Sequence, residues 1–147
     1  MMYDGKTLQR FTERAMENYK QLIKSETKYD ITISLCTLCG ILSIIDQYSR
    51  QDIFSDFHIP SYVTPTICKL APNDKKNKSL AIIRHFRNSL CHFKLDGKSI
   101  KSNDSGMIEK IVFKDVHKGK LQFSCTLKAD QIKQFLVTIC NHIIKHN

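Results

Sequence analysis

The chain has 147 residues, enough for one domain with its own core and no need of a disulfide or metal staple. Lys and Arg number 23 against 14 acids, a net charge of +9, which favours anionic partners, nucleic acid first. The longest apolar stretch, Ile31 to Ile45, is broken by Thr32, Ser34, Thr37, Gly40 and Ser43 and falls short of the roughly 20 residues of a bilayer span, which excludes a membrane helix there.

The opening residues are polar and charged and lack the apolar centre of a secretion signal. A cytoplasmic protein with reduced cysteines is therefore expected. The first predicted helix runs from Thr7 to Lys24, with Leu8, Phe11, Ala15, Tyr19 and Leu22 at helical spacing. The second covers Tyr29 to Tyr48, is apolar on most sides, and should lie in the centre of the domain. Gln51 to Asn77 holds Pro60, Pro65 and Pro72, so it is expected to be mostly loop with one short helical turn.

The third helix is predicted over Ser79 to Phe93. On a helical wheel Ile82, Ile83, Phe86, Leu90 and Phe93 fall on one arc, which goes to the core. Arg84, His85, Arg87, Asn88, Cys91 and His92 fall on the other, which needs water or a partner. His85, Asn88 and His92 share a face, and Arg87 stands at the opposite edge of the polar arc. Val112 to Phe123 reads as a hairpin turning at Lys118-Gly119, with Phe113 and Phe123 as core positions and Lys110, Lys114, Lys118 and Lys120 able to track a nucleic-acid backbone. A last helix, Ala129 to Lys145, buries Ile132, Phe135, Leu136, Ile139 and Ile143.

The chemistry concentrates in Arg87-Asn88-Ser89-Leu90-Cys91-His92. An Arg can clamp a phosphate and a His can move a proton, the minimal parts for RNA cleavage without a metal. The bland alternative is a helix-capping His and a surface Arg. Cys36-Thr37-Leu38-Cys39 lies inside an apolar helical run with no second pair, so packing cysteines are expected rather than a zinc or redox site. Cys68, Cys125 and Cys140 are expected to pack as well. His117, His142 and His146 show no partner spacing. No metal ligand set and no cofactor is assigned. There is no phosphate-cradling Gly loop, no nucleotidyltransferase motif and no carboxylate cluster.

On Ile83 to His92 the chain resembles the HEPN superfamily, the higher-eukaryote and prokaryote nucleotide-binding domains, in its bacterial toxin-like ribonuclease branch. That family's signature is an Arg, a polar residue, three to five more residues, then a His. Arg87, Asn88 and His92 match it. The resemblance implies a mainly α fold over residues 1–147 as a single domain, a HEPN-like helical bundle of four or five helices with a small β-hairpin before the last helix. It implies a homodimeric endoribonuclease with Arg87, Asn88 and His92 as catalytic residues. Arg84, His85 and Lys94 would then contact RNA or line the dimer cleft. It also implies a toxin-antitoxin, abortive-infection or other phage-defence role, with a neutralising antitoxin or a larger defence complex as partner. The branch silenced by adenylylation carries a Tyr two residues after the His, and here that position is Lys94. Two rival readings stand beside it. One is a non-catalytic nucleotide- or RNA-binding assembly module of a defence system. The other is a helical DNA-binding regulator, which lacks a short helix-turn-helix spacing before Ser79.

Overall fold

The computed structural model describes residues 5–25, 28–47, 51–72, 74, 77–92 and 98–146. Four helices, α1 (Gly5–Ser25), α2 (Asp30–Gln47), α3 (Lys78–Cys91) and α4 (Ala129–Lys145), are joined by four strands, β1 (Ile67–Cys68), β2 (Ile100–Ser102), β3 (Ile108–His117) and β4 (Lys120–Lys128). A 3-10 turn occupies Gln51–Phe54.

On α1 the buried stripe is Leu8, Thr12, Met16 and Tyr19. Thr12 tolerates burial because its hydroxyl donates to the Leu8 carbonyl, one turn back, at 2.9 Å. That stripe turns Phe11 and Leu22 outward, 42% and 51% exposed, against the sequence expectation. Helix α2 lies centrally, packed on α1, α3 and α4. Its buried Ser34 is satisfied twice, by the Asp30 carbonyl at 2.7 Å and the Tyr19 hydroxyl at 3.0 Å.

Helix α3 starts where Asn77 accepts the Leu80 N–H at 3.0 Å, relieving one of the orphan donors of the first turn. It is buried on two sides, by α2 and by β3. Phe86 is the hub. Its ring meets Phe113 of β3 at 5.0 Å, Phe123 of β4 at 5.2 Å and Phe135 of α4 at 4.8 Å between centroids. Helix α4 follows β4 directly, and the Gln131 side chain accepts the Lys128 N–H at its start.

The β structure is larger than the predicted hairpin. All pairings are antiparallel, in the order β1-β4-β3-β2. The hairpin turns at Lys118-Gly119, both at positive φ (50° and 73°), the backbone of a two-residue type I′ turn. Ile111, Phe113 and Asp115 of β3 and Phe123, Cys125 and Leu127 of β4 are buried. Strand β1, unseen in the sequence, has two residues and pairs with β4 through Ile67 and Cys68. No described helix is long and apolar enough to cross a membrane.

Candidate functional site

The polar arc of α3 does not simply face water. The hairpin covers part of it and builds a cleft of about 600 Å³, lined by Lys69, Arg84, His85, Asn88, Asp115, His117 and Gln122 among others. The register slips between Asp115 and Val116, since Asp115 pairs with Phe123 and Val116 with Leu121. Gln122 is the extra residue of this bulge, a device that bends a strand and re-aims its side chains. Its carbonyl accepts the Lys69 N–H at 2.8 Å, which holds the segment after β1 over the cleft.

His85 is 6% exposed and Asp115 7%. His85 Nδ1 lies 2.8 Å from Asp115 Oδ2, and Nε2 lies 2.9 Å from the Lys69 carbonyl. Both partners are acceptors. A neutral imidazole donates through one nitrogen only, so the imidazolium is the form that makes both bonds. The ring stacks on Phe123, 4.9 Å between centroids and 7° between planes. The wheel sets His85 on the polar side of α3, yet β3 and β4 bury it, and its hydrogen-bond partners come from β3 and the segment after β1.

Asn88 extends the network. Its Nδ2 donates to Asp115 Oδ2 at 3.0 Å, and its Oδ1 accepts from an Arg87 guanidinium nitrogen at 2.7 Å. The amide orientation is dictated, because the carboxylate only accepts and the guanidinium only donates. A continuous chain thus runs from Arg87 through Asn88 and Asp115 to His85 and the Lys69 carbonyl. Arg87, placed by the wheel at the far edge of the arc, is drawn to Asn88.

Arg84 pairs with Asp74 and lines the same cleft. The Arg84 guanidinium beside Asp74 holds that carboxyl below its usual range, helped by the Ala71 N–H, which donates to the same oxygen at 2.9 Å. His92 is exposed and caps the C-terminus of α3, its backbone N–H bonded to the Asn88 carbonyl at 3.1 Å. Within one copy the fold therefore gathers Arg84, His85, Arg87 and Asn88 and leaves His92 at the helix end. Lys94, Tyr48 and Phe93 lie outside the described residues.

The cysteines divide by depth. Burial pushes the Cys125 thiol up to about 11 and the Cys140 thiol up to about 12. Cys36 is exposed, whereas Cys91 meets Ser43 Oγ at 2.9 Å and Cys39 Sγ at 3.7 Å.

Sequence reasoning missed Asp115, His117, Lys69 and Gln122 as cleft residues. For Asp115 a signal existed: it continues the alternation of Ile111 and Phe113, so it is a carboxylate at an inward position. It also gave His142 and His146 no partner. The structure sets both beside Asp56, with Nε2 to carboxylate-oxygen distances of 3.7 and 3.3 Å. Their spacing of four, at the end of the predicted last helix, was the readable sign.

The sequence model of the family described as HEPN pEK499 p136 matches residues 2–147. No curated protein and no solved structure matches the chain. The match spans all four helices and the sheet, so the chain belongs to the HEPN pEK499 p136 family and carries a HEPN-superfamily domain.

Proposed function

We propose that the protein is a metal-independent endoribonuclease of HEPN type, acting as a homodimer on cytoplasmic RNA. The observation that carries this reading is the Arg87–Asn88–Asp115–His85 chain. It ties the motif's Arg and polar residue to a buried carboxylate, which preorganises a guanidinium for a developing phosphorane.

The RNA supplies its own nucleophile. The 2′-hydroxyl attacks the adjacent phosphorus, the P–O5′ bond breaks, and the products are a 2′,3′-cyclic phosphate and a 5′-hydroxyl. One proton leaves the 2′-oxygen and one reaches the 5′-oxygen. His92 is the exposed imidazole of the motif and takes these roles. Residues five apart on a helix point about 140° away from each other, so one copy's Arg87 and His92 do not converge on one phosphate. Two copies related by a two-fold axis present both motifs to a shared cleft, with one His92 as base and the other as acid. Asn88 serves by holding Arg87 rather than His92. Lys69, Arg84 and His117 add positive or hydrogen-bonding rim to guide the backbone. The toxin or phage-defence role, with its antitoxin or complex, follows from the resemblance to bacterial HEPN toxins.

A binding module without cleavage is the second reading, favoured by the separation of His92 from the Arg87–Asn88 pair. Variants decide between them. Arg87→Ala and His92→Ala should each lower the cleavage rate by about 10² to 10⁴ while the fold survives. Mixed dimers of the two variants should regain part of the activity. Wild-type rates in either folded variant would reject the site, and RNA binding with no cleavage by the wild type would favour the module.

A further inference from the structure

A second cluster of chemistry lies on other elements, at the C-terminal end of α4. His142, in the last turn of α4, and His146, the residue that caps its C-terminus, stand four apart, a spacing that can present two imidazoles to one ion. Their ring centroids are 4.2 Å apart. Asp56, two residues beyond the 3-10 turn, reaches both. Its Oδ1 lies 3.7 Å from His142 Nε2 and its Oδ2 3.3 Å from His146 Nε2. One donor atom from each residue falls within 4.8 Å of the other two. Tetrahedral zinc with bonds of about 2.0 to 2.1 Å sets its ligands about 3.3 Å apart, so small side-chain rotations close the set.

The cluster is also supported. His142 is held between Phe54, stacked at 5.6 Å and 16°, and Phe57, edge-on at 4.9 Å. Its side chain is only 13% exposed, so packing narrows the directions its ring can take. Asp56 and His146 are open to solvent, 61% and 39% exposed, which gives an ion an entry path. A single carboxylate serves two imidazoles that would repel each other if both were charged.

We propose that Asp56, His142 and His146 form a binding site for a divalent first-row transition ion, zinc in chemical class, with water completing the shell. Two imidazoles and one carboxylate suit such ions and not magnesium or calcium, which take oxygen ligands. Binding exchanges the proton of His142 Nε2, which now faces the Ile53 carbonyl, for the metal. The ion clips the segment after the 3-10 turn to the end of α4. It acts on stability and takes no part in the α3 cleft.

The test is zinc titration of chelator-stripped protein by calorimetry and thermal melting. One equivalent should bind per chain, and zinc at a hundredfold excess over its dissociation constant should raise Tm by about 5 to 11 °C. His146→Ala and Asp56→Ala, both at exposed positions that leave the Phe54–Phe57 packing intact, should each weaken binding at least about 100-fold. Cys39→Ser should bind as the wild type does. Cobalt in place of zinc should show no thiolate charge-transfer band. Absence of saturable binding, unaltered binding in both clip variants, or a thiolate band would overturn the proposal.

Discussion

Replacing Asp115 probes the network that joins the hairpin to the Arg87 motif. The carboxylate is buried and accepts from His85 Nδ1 at 2.8 Å and Asn88 Nδ2 at 3.0 Å through one oxygen. In Asp115→Ala both donors lose their acceptor, and a buried ion pair broken on one side costs about 3 to 5 kcal/mol. His85 has an escape. As the neutral tautomer protonated at Nε2 it keeps the Lys69 carbonyl and leaves only a lone pair unmet. The expected loss is therefore at the lower end, about 3 kcal/mol, or about 6 to 12 °C in Tm for a domain of this size. Asp115→Asn keeps one acceptor oxygen and should lose about half as much. Urea unfolding of the three proteins gives these differences. Cleavage assayed well below each Tm should fall in Asp115→Ala, because Asn88 no longer holds Arg87. Asn88→Ala combined with Asp115→Ala should then cost little more than either alone. A stability loss under about 1 kcal/mol, or fully additive effects on rate, would refute the network.

Acid should loosen the Asp74–Arg84 pair. The Asp74 carboxyl is depressed in the fold, so its contribution is present above the unfolded-state value and is lost as pH falls through the folded one. Urea midpoints between neutral and acid pH should drop further for the wild type than for Asp74→Asn, and parallel curves would contradict the assignment. Thiol labelling should follow depth. Exposed Cys36 should react first at mildly alkaline pH, while Cys125 and Cys140, raised to about 11 and about 12, should react only on unfolding. Early labelling of either buried cysteine in the folded protein would count against this packing.

The helices were legible because their signals are local. The predicted bounds of the last helix, Ala129 to Lys145, match α4, and the turn at Lys118-Gly119 stands where the sequence places it. The α1 stripe was misread because Thr12 is polar by composition yet meets its own need through the Leu8 carbonyl, while Phe11 and Leu22 are apolar and exposed. Strand β1 has too few residues to show alternation, and its partner lies more than fifty residues away in β4. Asn88 and Asp115 are 27 residues apart, and no spacing rule links a helix to a strand at that distance. The motif residues could be named from the sequence. The carboxylate that holds them shows in the sequence only as an inward position of β3, and its meeting with Asn88 comes from the sheet's docking on α3. The same holds for Asp56, whose meeting with His142 and His146 depends on the loop folding back to α4.

The central claim is cleavage of RNA by its own 2′-hydroxyl through the α3 motif. The most direct measurement is incubation of the purified protein with RNA in excess EDTA, followed by end-group analysis of the fragments. Chelation can strip an ion from the Asp56–His142–His146 clip and lower Tm, so the assay belongs well below the melting range. Cleavage should persist and fragments should end in 2′,3′-cyclic phosphate and 5′-hydroxyl, with Arg87→Ala silent under the same conditions. Fragments bearing 5′-phosphates, or cleavage abolished by EDTA in protein that is still folded, would contradict it.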